Sequence, residues 1–276
     1  MRIMVTNDDG IDSVGLHVLA RAMVPHGEVV IIAPDSEYSG AGAALGALHE
    51  MHPEVHRVPV AGIDEAWSVS GPPGLCVMFA QLEAFGAAFD LIVSGINPGS
   101  NVGRSVYHSG TVGAALTGRT RGASGVAVSQ AVTAWGVEGQ APDEVLEGQM
   151  WESAAEVAST VVGGLLADPP EHPIVVNINV PNLPIDEIKG WRHTRVGTTP
   201  PRSTTRVSLE PKAGHDGSYK VKMGWGDAVE LPVDSDGGAV MNGYASIGWL
   251  SHLTDEEPPA ANALPSALDD LLGAER

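Results

Sequence analysis

Two adjacent acids, Asp8 and Asp9, come directly after the first apolar run of the chain, residues 2–7. A short β-branched and apolar run that stops at Asp-Asp-Gly predicts a strand followed by a turn. Two neighbouring carboxylates repel a phosphate unless a cation lies between them, and hard oxygen ligands of this kind suit Mg²⁺ or Mn²⁺. The pair is therefore typical either of a divalent metal site or of an ordinary turn with solvated acids.

An anion-binding loop is the second chemical feature, between the apolar run 91–93 and a helical pattern at residues 114–116. Glycines and a proline end the run and open a loop at its carboxyl end, which is where open α/β sheets bind ligands. Ser109 is a good N-cap for the helix, and the free backbone N–H groups with the Ser109 and Thr111 hydroxyls form an anion cradle. The loop therefore predicts a seat for phosphate.

Two neutral oxygen donors, Ser39 and Asn97, fall at the carboxyl ends of predicted strands or in the loops that follow them. They could complete a metal site that Asp8 and Asp9 begin. Taken alone, Ser39 is more typical of a loop hydroxyl, and Asn97 of a turn before a proline. Only the combination with the two acids favours a ligand role.

The elements that must position these residues alternate between strand and helix. Apolar runs predict strands at 2–7, 28–33, 67–70, 91–93, 125–130 and 174–180. Helical spacing follows at 14–23, 77–85, 109–116 and 142–166, the last with a proline at its start. This alternation predicts an α/β fold with a mostly parallel sheet.

The pattern changes after about residue 190. Residues 206–211 and 218–223 flank an Asp-Gly turn and predict an antiparallel hairpin, a projecting arm that meets a partner subunit or covers a site. An acidic, proline-rich linker follows at 255–265, and a short terminal helix with one leucine face must dock on the body or on another subunit. That face comprises Leu264, Leu268, Leu271 and Leu272. We divide the chain into a core, residues 1–190, and a hairpin arm with an oligomerisation segment, residues 191–276, as parts of one domain.

Composition excludes several classes of partner. The 276 residues include 34 acidic and 15 basic side chains, for a formal charge of −19, which argues against binding to nucleic-acid polymers or anionic membranes. The single cysteine, Cys76, excludes an internal disulfide framework, and no apolar run approaches the length of a membrane helix. We expect a cytoplasmic protein that does not bind membranes, since the amino terminus also shows no secretory signal.

Two other motifs point to different chemistry. The glycine-rich run 40–46 resembles the fingerprint of nucleotide-cofactor folds, which would make the protein a nicotinamide-dependent oxidoreductase, but its spacing is one residue too long. His49, His52 and His56 could form a metal cluster, although Pro53 disrupts the helix that would align them and favours a solvated loop.

The chain resembles the SurE (survival protein E) family of nucleotidases in four linked motifs. These occur in the family's order and spacing at residues 6–11 (Thr-Asn-Asp-Asp-Gly-Ile), at 33–35 with 39–40, at 94–97 with the following loop, and at 109–115 (Ser-Gly-Thr-Val-Gly-Ala-Ala). Weaker similarities lie at 177–181 and 243–246. The resemblance implies a three-layer, Rossmann-like α/β fold with a mostly parallel sheet, a projecting β-hairpin and an exchanged C-terminal segment.

The resemblance also implies an activity and a set of site residues. Members of the family are metal-dependent 5′/3′-nucleotidases that form dimers or tetramers and hydrolyse nucleoside 5′- and 3′-monophosphates to nucleoside and phosphate. The implied ligands of one divalent ion per subunit, Mg²⁺ or Mn²⁺, are Asp8, Asp9, Ser39 and Asn97. The implied substrate and phosphate contacts are Asn97, Asn101, Ser109, Gly110 and Thr111. The hairpin and the terminal helix become candidate oligomer contacts.

The expected reaction is attack of a metal-activated water on phosphorus, with Asp8 and Asp9 as catalytic residues and one of them transferring a proton. The chain departs from the family at 41–46, where an apolar run replaces polar residues beside the site, and at 71–76 and 234–237. These changes bear on substrate preference. They also leave open a non-catalytic nucleotide-binding or scaffolding protein that retains the phosphate seat.

Overall fold

The strands form one nine-stranded sheet and a separate two-stranded hairpin in the computed structural model. The structure describes residues 1–46, 52–132, 143–203 and 205–251, together with residues 267 and 271. The strands are β1 (Arg2–Thr6), β2 (Glu28–Pro34), β3 (Val55–Arg57), β4 (Glu65–Val69), β5 (Leu91–Pro98), β6 (Ser124–Gln130), β7 (Val175–Val180), β8 (Trp191–His193), β9 (Thr205–Pro211), β10 (Tyr219–Trp225) and β11 (Ala245–Leu250). The α-helices are α1 (Val14–Met23), α2 (Pro73–Gln81), α3 (Gly110–Thr120), α4 (Trp151–Ala167) and α5 (Asp236–Met241).

The sheet has the strand order β3-β4-β2-β1-β5-β6-β7-β11-β8. The six strands from β4 to β7 are mutually parallel, whereas β3 and β11 run antiparallel to their neighbours in that group. From β1, the parallel part of the sheet extends through β2 and β4 on one side and through β5, β6 and β7 on the other. The order reverses between β1 and β5, and the carboxyl ends of strands at such a reversal form the ligand crevice of open α/β sheets.

Helices cover both faces of the sheet, which gives three layers. On one face, side chains of α1 and α4 such as Leu16 and Val162 pack with Ile3 of β1. On the other face, side chains of α2 and α3 such as Val77 and Ala114 pack with Met4 of the same strand. Successive residues of a strand point to opposite faces, so β1 contributes to both cores. The predicted α/β fold with a mostly parallel sheet is confirmed.

The hairpin of β9 and β10 projects from this body, as the sequence predicted, with Pro211 opposite Tyr219 and Thr205 opposite Trp225. All residues of both strands are exposed. Most of the predicted linker and terminal helix, including Leu264, Leu268 and Leu272, lies outside the described residues, so its exchange between subunits stays a prediction.

The predicted helix 142–166 is wrong in its first part. Residues 143–148 form a 3-10 helix and the α-helix α4 begins only at residue 151, while the predicted first residue, Pro142, lies outside the described part of the chain. The break has a local cause, because the Gln149 side chain donates a hydrogen bond to Gln130 Oε1 at 2.9 Å. That bond holds residue 149, which lies between the 3-10 helix and α4, against the end of β6.

The predicted helix 77–85 lies about one turn too far along the chain. Helix α2 begins at Pro73, a favoured position for proline because the first N–H groups of a helix have no partner within it. The short elements β3, β8, β11 and α5 were not predicted. No helix within the described ranges has the length and apolar character needed to cross a bilayer.

Candidate active site

Asp8 lies at the carboxyl end of β1, at the point where the strand order reverses, and only 3% of the residue is exposed. The Thr111 hydroxyl donates a hydrogen bond to its Oδ1 at 2.5 Å, across 103 residues of sequence. A Cβ added to Gly110 would lie 2.7 Å from the Asp8 Cβ and 2.8 Å from Oδ2, so only glycine fits here. The structure thus brings the first predicted acid against the first turn of α3.

Ser109 caps that helix as the sequence predicted. Its hydroxyl oxygen accepts a hydrogen bond from the Val112 N–H at 3.1 Å, and its backbone is extended, as an N-cap requires. Two N–H groups of the first turn, those of Gly110 and Thr111, interact with the Asp8 carboxylate. The amino terminus of α3 therefore carries partial positive charge at the acid of β1.

Burial disfavours the ionised form of both acids. Burial raises the pKa of the Asp8 carboxyl, while the Thr111 hydroxyl and the nearby backbone N–H groups act in the opposite direction. Burial also raises the pKa of Asp9 well above its ordinary value, and the negative charges of Asp8 and Glu37 raise it further. Asp9 Oδ2 is buried and accepts no hydrogen bond within the described part of the chain. A cation beside the pair would relieve each of these effects.

The loop that carries Ser39 contacts Asp8. The Tyr38 N–H donates to the Asp8 carbonyl oxygen at 2.7 Å, which places the loop after β2 beside the end of β1. The Ser39 hydroxyl donates to Glu37 Oε1 at 2.8 Å. Sequence reasoning missed Glu37, whose charge acts on Asp9; its place two residues before Ser39 was the available signal.

Asn97 lies at the end of β5, the strand that neighbours β1 across the reversal. The pairing of β5 with β6 shifts register between Ser94 and Asn97, and a Cβ on Gly95 would come within 2.2 Å of the Val128 carbonyl oxygen. Such irregularities re-aim side chains at strand ends. The Asn97 amide donates to the Gly99 carbonyl oxygen at 2.6 Å, so the carbonyl oxygen of the side chain is the atom left for a ligand.

Asn101 anchors the loop after β5, and its role as a phosphate contact stays a prediction. Its side-chain nitrogen donates to Ser129 Oγ at 2.9 Å, and its backbone N–H donates to Asn179 Oδ1 at 2.7 Å. Its carbonyl oxygen accepts from the Asn177 side chain at 3.0 Å. These bonds tie the loop to β6 and β7, a role that the sequence did not indicate.

The donor set fits a hard divalent ion. Nowhere in the described part of the chain do three His, Cys, Asp or Glu side chains form a group that could hold a metal. A site at Asp8 and Asp9 must therefore draw on neutral oxygens, as in the predicted set with Ser39 and Asn97. Buried oxygen atoms without a partner in the described structure also occur in or just after β1 and β5, namely Thr6 Oγ1, Asn7 Oδ1, Asp9 Oδ2, Ser94 Oγ and Ser100 Oγ. Oxygen-only coordination of this kind suits Mg²⁺ or Mn²⁺.

The competing motifs receive no support. Residues 39–46 form turns in which Gly42 packs against the Gly113 backbone, whereas a dinucleotide fingerprint opens a helix. His52 and His56 are exposed, and His49 lies outside the described residues. A cavity of about 270 Å³ beside Met1 and His172 contains none of the predicted site residues.

Comparisons with known proteins point to one family. The family model described as Survival protein SurE matches residues 3–202. A protein named 5'-nucleotidase SurE from Acinetobacter baumannii is 35% identical over 257 residues, 90% of this chain and 92% of the relative. A protein of the same name from Aeromonas hydrophila is 35% identical over 260 residues, 91% of this chain and 92% of the relative.

A solved structure leads to the same family. The crystal structure of a SurE protein from Aquifex aeolicus aligns with a TM-score of 0.74 at 29% identity and covers 98% of this chain and 99% of that one. The resemblance drawn from the four motifs is thereby confirmed. Since the family model spans well over half of the residues, the chain belongs to the SurE family.

Proposed function

We propose that the protein is a 5′-nucleotidase, a metal-dependent phosphomonoesterase that hydrolyses nucleoside 5′- and 3′-monophosphates to nucleoside and phosphate. The observation that carries the proposal is the convergence of the first turn of α3 on Asp8 at the reversal of strand order. A carboxylate can bind a cation and a helix end can bind an anion, so the two together suit a metal-bound phosphate group. The names of the relatives from A. baumannii and A. hydrophila support the same activity.

Different residues would bind the metal ion and the phosphate. Asp8, Asp9, Ser39 and Asn97 would hold one Mg²⁺ or Mn²⁺, which when bound neutralises phosphate charge and lowers the pKa of the attacking water. The first turn of α3, whose Gly110 and Thr111 N–H groups also face Asp8, would bind phosphate oxygens that carry negative charge in the transition state.

Proton transfer completes the reaction. Water forms a bond to phosphorus, the ester P–O bond breaks, and the proton lost by water balances the proton gained by the leaving alkoxide. We assign this proton to Asp9, because its Oδ2 accepts no hydrogen bond in the described structure, whereas Asp8 accepts one from Thr111.

A panel of substrates tests the activity. Purified protein with Mn²⁺ or Mg²⁺ should release phosphate from nucleoside 5′-monophosphates and 3′-monophosphates. Tight binding of these nucleotides without phosphate release would instead support the non-catalytic alternative. Nicotinamide binding without phosphate release would revive the oxidoreductase.

We further propose that the protein is a cytoplasmic homodimer or homotetramer and that the hairpin contributes to the interface. One face of the hairpin is apolar, because the cross-strand pairs Val207 with Met223 and Leu209 with Val221 lie on the same side as Trp225. These side chains are at least 50% exposed, which is typical of a surface that another chain covers. The opposite face is polar and carries an ion pair between Lys222 and Glu210.

A further inference from the structure

Asp236 is a buried carboxylate that connects three separate segments of the chain, and 4% of the residue is exposed. Its Oδ2 accepts a hydrogen bond from the Gly103 N–H at 2.8 Å. Its Oδ1 accepts from the Gly197 N–H at 3.0 Å and from the Gly237 N–H at 2.8 Å. All three donors are backbone groups, so the carboxylate binds main chain and sets the relative positions of the segments.

One of those segments is the loop of the candidate active site. Gly103 begins a 3-10 helix with φ +55, and this helix ends at residue 107, just before the N-cap of α3. Within it, the Ser105 carbonyl oxygen accepts the N–H groups of both His108 and Ser109 at 3.0 Å. A short, hydrogen-bonded turn therefore fixes the position of Ser109 relative to Gly103.

Packing supports the same connection. Val102 forms a small buried cluster with Leu231 and Val240, which come from the segment around α5. On the other side, Asn101 is tied to β6 and β7 through Ser129 and Asn179. The loop is thus held from the sheet at residue 101 and from α5 at residues 102–103.

The three hydrogen bonds accepted by Asp236 require a carboxylate. Both oxygens of an ionised aspartate accept hydrogen bonds, whereas an asparagine replaces one of them with an NH₂ group that only donates. An asparagine at position 236 would therefore place a donor against Gly103 or against Gly197 and Gly237. Either arrangement breaks the connection while it preserves the size of the side chain.

We propose that Asp236 is a positioning residue for the phosphate seat, which holds residues 101–109 so that Ser109 and Gly110 present the first turn of α3 to the substrate. This inference rests on the proposed function, because a seat matters only if an anion binds there. The hydrogen bond between Asp236 and Gly103 has no local sequence signal, since the two residues are 133 positions apart.

The test compares Asp236→Asn with Ser235→Ala. Ser235 is the N-cap of the same helix, and its hydroxyl accepts the Gly238 N–H at 3.1 Å without contacting the site loop. Both variants should lower Tm by a few degrees. Asp236→Asn should raise the KM for a nucleoside monophosphate and the inhibition constant of inorganic phosphate at least tenfold, with a smaller fall in kcat. Ser235→Ala should leave both constants within twofold.

Hydrogen exchange supplies a measurement that does not depend on turnover. The amides of residues 103–109 should lose protection in Asp236→Asn and keep it in Ser235→Ala. Equal exchange and equal KM in the two variants would show that Asp236 only stabilises α5, and this result would overturn the inference. A wild-type protein without phosphatase activity would overturn the proposed function instead, while the exchange comparison would still decide whether Asp236 positions the loop. Should Asp236→Asn not fold, Asp236→Glu, which moves the carboxylate by one methylene, replaces it in the same comparison.

Discussion

Replacing Thr111 with valine should weaken catalysis strongly while it leaves the fold in place. The substitution preserves the shape of a fully buried side chain and removes the hydroxyl that donates to Asp8 Oδ1 at 2.5 Å. A hydrogen bond to a charged group contributes about 1.5–3 kcal/mol. Because each 1.4 kcal/mol or so is a factor of ten, kcat/KM and the affinity for Mn²⁺ should each fall roughly 10- to 150-fold at neutral pH.

The pH profile should shift in a definite direction. The Thr111 hydroxyl opposes the effect of burial on the pKa of Asp8, so its loss raises that pKa further. Since Asp8 acts as the ionised form, the acidic limb of the activity profile should move to higher pH. Phosphate release measured across pH at saturating metal shows the shift directly.

Thr117→Val is the matched control for this experiment. Thr117 lies on the same helix and is also buried, but its hydroxyl donates to the Gly113 carbonyl oxygen at 2.7 Å and not to an acid. Its replacement should lower stability slightly and leave kcat/KM within twofold. An equal loss in both variants, or full activity in Thr111→Val, would show that α3 does not act through Asp8.

Three further predictions concern other parts of the structure. The raised pKa of Asp9 means that its ionised form destabilises the metal-free fold above the ordinary value of 3.8. Asp9→Asn should abolish activity when Mn²⁺ is present. In excess chelator at neutral pH the same substitution should raise the free energy of unfolding by about 1–3 kcal/mol, whereas a loss of stability would contradict this. Gly110→Ala should reduce kcat/KM at least tenfold, because its Cβ would lie 2.8 Å from Asp8 Oδ2, and unchanged kinetics would exclude that contact. Val221→Lys, on the apolar face of the hairpin, should lower the molar mass measured by light scattering without changing Tm. Lys220→Ala, on the polar face, should leave the molar mass unchanged.

The regular part of the fold could be predicted from the sequence. Buried parallel strands are nearly continuous apolar runs, and they alternate with helical spacing, so the order of elements from β1 to β7 was accessible apart from the exposed β3. The proximity of Asp8 to the first turn of α3 also followed, because Asp8 and the loop that leads to α3 both come from carboxyl ends of parallel strands. Their direct hydrogen bond did not follow, because the sequence predicted a cation between the acids and the phosphate seat.

Contacts without a periodic pattern could not be predicted. Asp236 accepts hydrogen bonds from the backbone N–H groups of Gly103 and Gly197, which are distant in sequence, and nothing in the residues around it marks those two partners. The break before α4 depends on a bond between Gln149 and Gln130, which lie in different elements. The hydrogen bonds of Ser39 to Glu37 and of Asn101 to Ser129 likewise depend on loop geometry.

The most direct test of the account compares phosphate release by the wild type, Asp8→Asn and Asp12→Asn. Asp12 is exposed in the same loop, so its substitution changes the charge equally without touching the site. Each protein is stripped with chelator, assayed on a nucleoside 5′-monophosphate, and assayed again after addition of Mn²⁺. We predict that the metal restores activity to the wild type and to Asp12→Asn and not to Asp8→Asn. Full activity in chelator, or in Asp8→Asn, would contradict the account.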